Sequence, residues 1–567
     1  MALAALLSAV LPSAVLALAM PALGACIRVP AAAVDEYDLL VVNGRLVDGT
    51  GSPWFRGDVA IRGDRIAAVG HLAGARSKRR IDVRGAIVAP GFIDMLGQSE
   101  LLLLVDGRAE SKVRQGVTTE LTGEWTSVAP VVAEGVREMK PWLDRYGLVV
   151  NWTDFDGYFR RLEAARPAIN LGIFVPAAQV RRAVLGATNI EPTAAQLRRM
   201  ESEVDKAMRQ GAFGLSSSLA YAPGVYAKTG ELVALARVAA RHGGIYATHI
   251  RNQGEEILPA LAEAFTIGRE ARIPVEIWHL MVAGRANWGR MSEVVAAIEG
   301  ARAEGVDVSA NIQPYTTSAN GLDSTIPGWA HEGGVDAMIA RFHDGKQRQR
   351  ILRELRQGES GRGGWKRRPP EDILVAGVVN PELERWRGKR LTEVASAMGT
   401  TPEEALLDLV EKDRASVMVV RFSMHEDDLQ LALQQSWVSI GADSGAITVD
   451  GPLVKEWPHP RSYGTMPRIL GRYVREVRLF SLEEAVRRMT SLPAQRVGLF
   501  DRGLLRPGMM ADVVVFDPAR IRDRATYEKP HQYSEGIEHV IVNGRLILES
   551  GRMTDERPGR ALRHRRR

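Results

Sequence analysis

The sequence predicts an α/β fold: a (β/α)8 TIM-like barrel with a small β-sandwich domain built from both chain ends and an inserted subdomain. Three observations predict it. Short β-like runs alternate with amphipathic helical runs through the middle of the chain, one five-residue phrase recurs near both ends, and the last β-like run follows an overlong gap.

The 567 residues are 45% hydrophobic and 25% charged, an ordinary globular balance in a chain too long for one simple domain. The net charge of +6 arises from 74 basic and 68 acidic residues spread along the chain, so no nucleic-acid partner is expected. Residues 554–567, which end in the basic run "RALRHRRR", read as a frayed, solvated tail.

Residues 1–26, "MALAALLSAVLPSAVLALAMPALGAC", carry no charge and read as an export or anchoring segment. The segment ends in Leu23-Gly24-Ala25-Cys26, which resembles the bacterial lipobox, in which the cysteine becomes the lipidated first residue of the mature chain. Cys26 is the sole cysteine, which excludes an intramolecular disulfide and a Cys-rich zinc site. Cleavage after Ala25, or an uncleaved helix, is the alternative. The expected location is exported, either periplasmic or membrane-anchored as a lipoprotein.

Residues 36–88 contain three alternating runs, "DLLVVNGRLVDG", "GDVAIRGDRIAAVG" and "RIDVRGAIVAPGFID", separated by Asn-Gly and Gly-Asp turns. The phrase from Val42 to Leu46 returns as Val542 to Leu546, preceded by the strand-like "ADVVVFD". Residues 496–553 are therefore expected to complete the same β domain. Between them, residues 89–495 offer eight candidate strands: "AIVAPGFID", "VTTELTG", "AINLGIFV", "GAFGLSSS", "GIYATH", "PVEIWH", "VDVSANI" and "WVSIGAD". Helical patterns such as "AQLRRMESEVDKAMRQ" separate several of them, which predicts a barrel with its chemistry at the C-terminal strand ends. The gap before the eighth strand predicts an insertion at about 325–430, with a mobile Gly/Arg-rich segment inside it.

On that frame His249 ends strand five, His279 ends strand six, Asp443 ends strand eight and Glu124 follows strand two, so all four face one mouth. Two imidazoles and a carboxylate fill three positions of a tetrahedral zinc and leave one for water. The metal lowers the pKa of that water from about 15.7 toward about 7, and a neighbouring carboxylate takes the proton. A lone histidine among eleven is ordinarily a core or surface residue, and a carboxylate after a strand is often a helix cap. Two histidines ending successive strands are less easily dismissed. Asp443 has no obvious partner within "IGADSGA".

From Tyr37 to Arg552 the chain resembles the amidohydrolase superfamily, and within it the D-aminoacylase (N-acyl-D-amino-acid deacylase) family. The phrases that carry the resemblance include "VAPGFID", "QGVTTELTG", "GLSSSLAYAPGVYA", "YATHIRNQG", "HPRSYGTMPRILGRYVRE" and "MTSLPAQRVGLFDRGLLRPGMMADVVVFDP". The resemblance implies a small-molecule acylated amino acid as substrate, hydrolysed at a zinc-bound water. It makes His249 and His279 zinc ligands and Asp443 the general base. It also makes Arg461 the substrate-carboxylate clamp, with Tyr221 and Tyr315 holding the substrate.

The chain departs from the family pattern at three places. Leu96-Gly97-Gln98 stands where the family has His-x-His, so one of two metal sites is expected to be missing and one zinc per chain is expected. The family cysteine ligand after strand two is absent, with Glu124 offered as an oxygen ligand nearby, and Met281 replaces a common lysine. Two competing readings are a non-catalytic surface lipoprotein scaffold and a hydantoinase-like cyclic amidase. The second is expected to carry a lysine on strand four, where "GAFGLSSSL" has none.

If Cys26 is lipidated, Cys26→Ala should move the protein from the membrane fraction to an unprocessed precursor or a soluble exported form. Unchanged fractionation and gel mobility would remove the lipobox reading.

Overall fold

The computed structural model describes residues 36–565 apart from 73, 126, 358–364 and 366–368, so the export segment, Cys26 and much of the Gly/Arg-rich run lie outside the described residues. Eight parallel strands form the barrel: β1 (Phe92–Asp94), β2 (Val117–Thr122), β3 in two pieces (Asn170–Ile173 and Val175–Pro176), β4 (Gly214–Ser218), β5 (Ile245–His249), β6 (Val275–Ile277), β7 (Val308–Ile312) and β8 (Val438–Ile440). The barrel closes where the Met95 N–H donates to the Ile440 carbonyl (3.3 Å) and the Asp443 N–H to the Leu96 carbonyl (2.7 Å).

A buried charge cluster fixes that seam. The Lys112 ammonium, on a short turn of helix between β1 and β2, lies 2.5 Å from Asp94 and 3.6 Å from Glu120, and all three side chains are fully buried. Lys112 also donates to the Ser444 carbonyl (2.7 Å), while Asp94 accepts the N–H groups of Leu96 (3.2 Å) and Ala442 (2.8 Å). Glu120 accepts from the Ser99 N–H and hydroxyl. One ammonium thus links β1, β2 and the end of β8. Burial works against the charged lysine, yet the two carboxylates hold its pKa above the usual value.

The two chain ends meet in one nine-stranded β domain. Val513–Phe516 pairs antiparallel with Ile87–Pro90, so residues more than four hundred positions apart become neighbours. These strands are apolar throughout because both faces are buried. Val513 and Val515 join the β-domain core with Val88, whereas Val514 and Phe516 join the barrel core with Ile87 and Ala89.

The repeated Val-Asn-Gly-Arg-Leu phrase plays two different parts. At Asn543-Gly544 both residues have positive φ and turn one strand into the next, as expected of Asn-Gly. At Asn43 the φ is also positive, but strand Tyr37–Leu46 runs on through an irregularity between Val41 and Gly44. The expected turn is a bulge there, because Asp58 on the neighbouring strand caps the Asn43 N–H (2.9 Å) and Gly44 lies against Val88.

The insertion has its own core, running from Leu322 to Val419. It is bounded by a three-stranded antiparallel sheet of Ser318–Gly321, Met418–Arg421 and Ile373–Gly377. Helix Glu426–Leu433, which straddles the expected end of the insertion at about 430, packs Leu429, Ala432 and Leu433 into the barrel core.

As far as the described residues reach, to Arg565, the C-terminal run is docked rather than frayed. Ala561 bridges to Leu171 in parallel, with the Leu171 N–H donating to the Arg560 carbonyl (3.0 Å) and the Leu562 N–H to the Leu171 carbonyl (2.8 Å). Leu562 is buried, and Arg560 and Arg563 pair with Asp64 and Asp156. An apolar anchor and two complementary acids overcome the fraying that a basic sequence predicts.

Lys112→Met leaves Asp94 and Glu120 buried without their cation and is expected to cost about 3–5 kcal/mol in chemical unfolding, the usual loss on breaking a buried ion pair from one side. A change below about 1 kcal/mol would show that the seam does not depend on this charge.

Candidate metal and active site

Three ligand atoms converge at the C-terminal mouth of the barrel. Glu124 follows β2 by two residues, His249 closes β5, and His279 follows β6 by two residues. Glu124 Oε1 lies 2.9 Å from His249 Nδ1 and 2.8 Å from His279 Nε2, and the two rings are edge to face with centroids 4.4 Å apart. Among the described residues this is the one group of three or more His, Cys, Asp or Glu side chains whose ligand atoms gather within 4.8 Å.

The three atoms suit a metal of zinc size. Zinc bonds of about 2.0–2.2 Å at a tetrahedral angle set ligand atoms about 3.3 Å apart. A modest opening from 2.8–2.9 Å reaches that spacing. The donor set, two imidazoles and one carboxylate, leaves a fourth position for water or substrate. Gln253 meets the other nitrogen of His279, Nδ1, at 2.9 Å and fixes the ring's orientation, as outer partners of metal-binding histidines commonly do.

Asp443 stands beside this group with partners drawn from far along the chain. Its Oδ2 lies 2.7 Å from Nη1 of Arg461, and its Oδ1 accepts from the Gln98 amide at 3.0 Å. The expectation that Asp443 lacks a partner held only within its own segment. Arg461 opens helix Arg461–Arg468 and is 2% exposed. Its Nη1 approaches Asp443 at an angle that makes no hydrogen bond, and its buried Nε and Nη1 have no acceptor among the described residues.

His279 and Asp443 both adopt positive φ, 35° and 50°, a conformation that costs a non-glycine residue of order 1–3 kcal/mol. Side-chain and backbone acceptors hold them there. The His279 N–H donates to Asn311 Oδ1 (2.8 Å), and the Asp443 N–H to the Leu96 carbonyl (2.7 Å).

The charges are mutually adjusted. Burial would raise the Glu124 pKa, but His279 and His249 beside it hold the carboxyl well below its ordinary value. Burial disfavours a charged His279, yet Glu124 and then Asp443 raise its pKa. Asp443 is pushed up to about 6 by burial, with Arg461 opposing and Glu124 adding to the rise.

The two tyrosines are placed differently. The Tyr221 ring is edge-on to His249 (5.1 Å) and tilted against the exposed Trp125 (5.9 Å), forming one wall of the mouth. Its hydroxyl accepts from Asn320 of the insertion (3.4 Å). Tyr315 is buried against His459, with its hydroxyl 3.5 Å from Asp523 and the Arg468 guanidinium over its ring. Its hydroxyl is therefore committed to Asp523, and its ring rather than its polar tip is what borders the site.

Sequence reasoning passed over Gln98, which donates to both Glu124 and Asp443. The signal was position: Gln98 stands four residues after Asp94, the last residue of β1, where the strand opens onto the mouth. Met281 is buried at 7% exposure, so the mouth has an apolar side chain where the resemblance led to a lysine.

The family model described as "Amidohydrolase family" matches residues 79–548. An N-acyl-D-glutamate deacylase of Alcaligenes xylosoxydans xylosoxydans is 36% identical over 531 residues, covering 93% of this chain and 97% of that protein. The crystal structure of an N-acyl-D-glutamate deacylase from Bordetella bronchiseptica, complexed with zinc and a phosphonate mimic of the tetrahedral intermediate, superposes with a TM-score of 0.79. It is 34% identical, covering 93% of this chain and 100% of that one. A D-aminoacylase described as having a binuclear metal centre, with one-metal activation and second-metal attenuation, is 35% identical with a TM-score of 0.78, again covering 93% and 100%.

Proposed function

The chain belongs to the amidohydrolase family and is a hydrolase of amide carbon–nitrogen bonds, and from that premise we propose that it deacylates N-acyl-D-amino acids using one zinc ion per chain. The observation that carries this reading is the convergence of Glu124, His249 and His279 beside a buried Asp443–Arg461 pair. Glu124, His249 and His279 would hold the zinc. When bound, it supplies Lewis-acid polarisation of the scissile carbonyl and acidifies water.

The remaining steps belong to the chain's own side chains. Asp443 takes a proton from the attacking water at a carboxylate oxygen and delivers it to the amide nitrogen as the C–N bond breaks, giving a carboxylic acid and a free amino acid. Arg461 offers its buried guanidinium, whose Nε has no acceptor among the described residues, to the substrate carboxylate. Tyr221 and Trp125 cover the apolar part of the substrate and exclude water from the side of His249. Met281 removes a cationic contact, which shifts the substrate preference.

Two other readings explain less. A non-catalytic scaffold gives no reason for a solitary three-ligand convergence next to a strained aspartate. A hydantoinase-like cyclic amidase is expected to carry a lysine on the fourth strand, and Gly214–Ser218 has none.

Metal analysis of the purified protein should return one zinc per chain, with most of it lost in His249→Ala or His279→Ala. Two tightly held ions per chain would contradict the reading of Leu96-Gly97-Gln98.

Asp443→Asn keeps the shape but removes the base, so kcat on an N-acyl-D-amino acid should fall about 10²- to 10⁴-fold with the zinc retained. Arg461→Ala should raise KM for substrates with a free carboxylate far more than for their carboxamides. Near-wild-type turnover in Asp443→Asn, in a preparation free of contaminating deacylase, would remove the residue from the mechanism.

A further inference from the structure

We infer that the Gln98 amide fills the gap between Glu124 and Asp443 where a second cation would otherwise bridge them, and that Gln98 is a positioning residue for Glu124. The inference rests on the one-zinc reading above.

A side-chain amide nitrogen carries two protons, and both are used here: Nε2 donates to Glu124 Oε2 at 3.2 Å and to Asp443 Oδ1 at 3.0 Å. Two carboxylates this close in a partly dry site repel each other unless something positive or proton-bearing lies between them. A metal would supply that with added charge. The amide supplies it with none. Gln98 also takes up one oxygen of Glu124 and leaves the other, Oε1, to face His249 and His279. It therefore sets which edge of the carboxylate is presented to a metal.

The surrounding residues agree with a site built for one ion. Leu96, two residues earlier, is packed with Phe174, Trp278 and Ala247 in the barrel interior and offers no donor atom. The next acids inward, Asp94 and Glu120, have their charge met by the Lys112 ammonium, a fixed cation of the chain itself. Glu124 and Asp443 at the mouth and Asp94 and Glu120 at the seam are thus each met by an amide or an ammonium.

The test uses the full chain and zinc itself. Gln98 is exposed at the mouth, so the metal-free variants should remain folded, checked by a cooperative thermal unfolding transition. Gln98→Leu removes both donors and should bind zinc about 10- to 100-fold more weakly in competition with a chromophoric chelator, the range seen when outer partners of metal ligands are lost. Gln98→Glu replaces the donor by a third carboxylate and should take up a second zinc in equilibrium dialysis where the wild type takes up one. If the wild type holds one zinc and Gln98→Leu keeps its affinity, or Gln98→Glu stays at one ion, the inference is overturned by itself. A wild type that takes up no zinc overturns the metal reading and this inference with it.

Discussion

The Lys112 ammonium is the charge on which the catalytic end of the barrel is assembled. It is fully buried, as are Asp94 and Glu120 beside it, and a buried ion is tolerable only when its hydrogen bonds are complete. Completion here requires β1, β2 and the segment after β8 to be in place together, because Asp94, Glu120 and the Ser444 carbonyl come from those three places. The same cluster determines where Asp443 stands. Asp94 receives the Ala442 N–H and the Leu96 carbonyl receives the Asp443 N–H, so Asp443 leaves the barrel in a conformation that its own preferences disfavour.

From that seam outward the polar groups form one connected set. Gln98 joins Asp443 to Glu124, Glu124 joins the two imidazoles, and Arg461 balances Asp443 from the opposite side. A carboxylate whose pKa is lowered by two histidines stands beside one whose pKa is raised by burial. Two acids in different electrostatic surroundings can take different roles, one as a ligand that stays ionised and the other as a proton carrier.

The β domain is held to the barrel by the same combination of apolar strands and buried polar groups. Asp512 accepts the Asn543 N–H (2.7 Å) and pairs with Arg502, while the Asn543 amide donates to Asn170 on β3 (2.7 Å). The docked C-terminal run adds its backbone to the same strand. The β domain thereby meets the barrel at Asn170, the residue that opens β3.

The sequence by itself determined the periodic features and their order. Alternating strands and helices specified an eight-stranded barrel, His249 and His279 at successive strand ends specified a shared mouth, and the twin Val-Asn-Gly-Arg-Leu phrases tied the two ends into one β domain. Each such feature is written in short runs of consecutive residues, so local pattern records it wherever the run lies in the chain. Only the tertiary structure decided that Gln98 and Arg461 meet Asp443, that Asn43 bulges where Asn543 turns, that Glu426–Leu433 belongs to the barrel, and that Leu562 anchors a basic tail. Each depends on a neighbour outside its own segment, from 15 residues away for Asn43 and Asp58 to 345 for Gln98 and Asp443. No local period encodes that neighbour, and the contact exists only once the strands have closed around it.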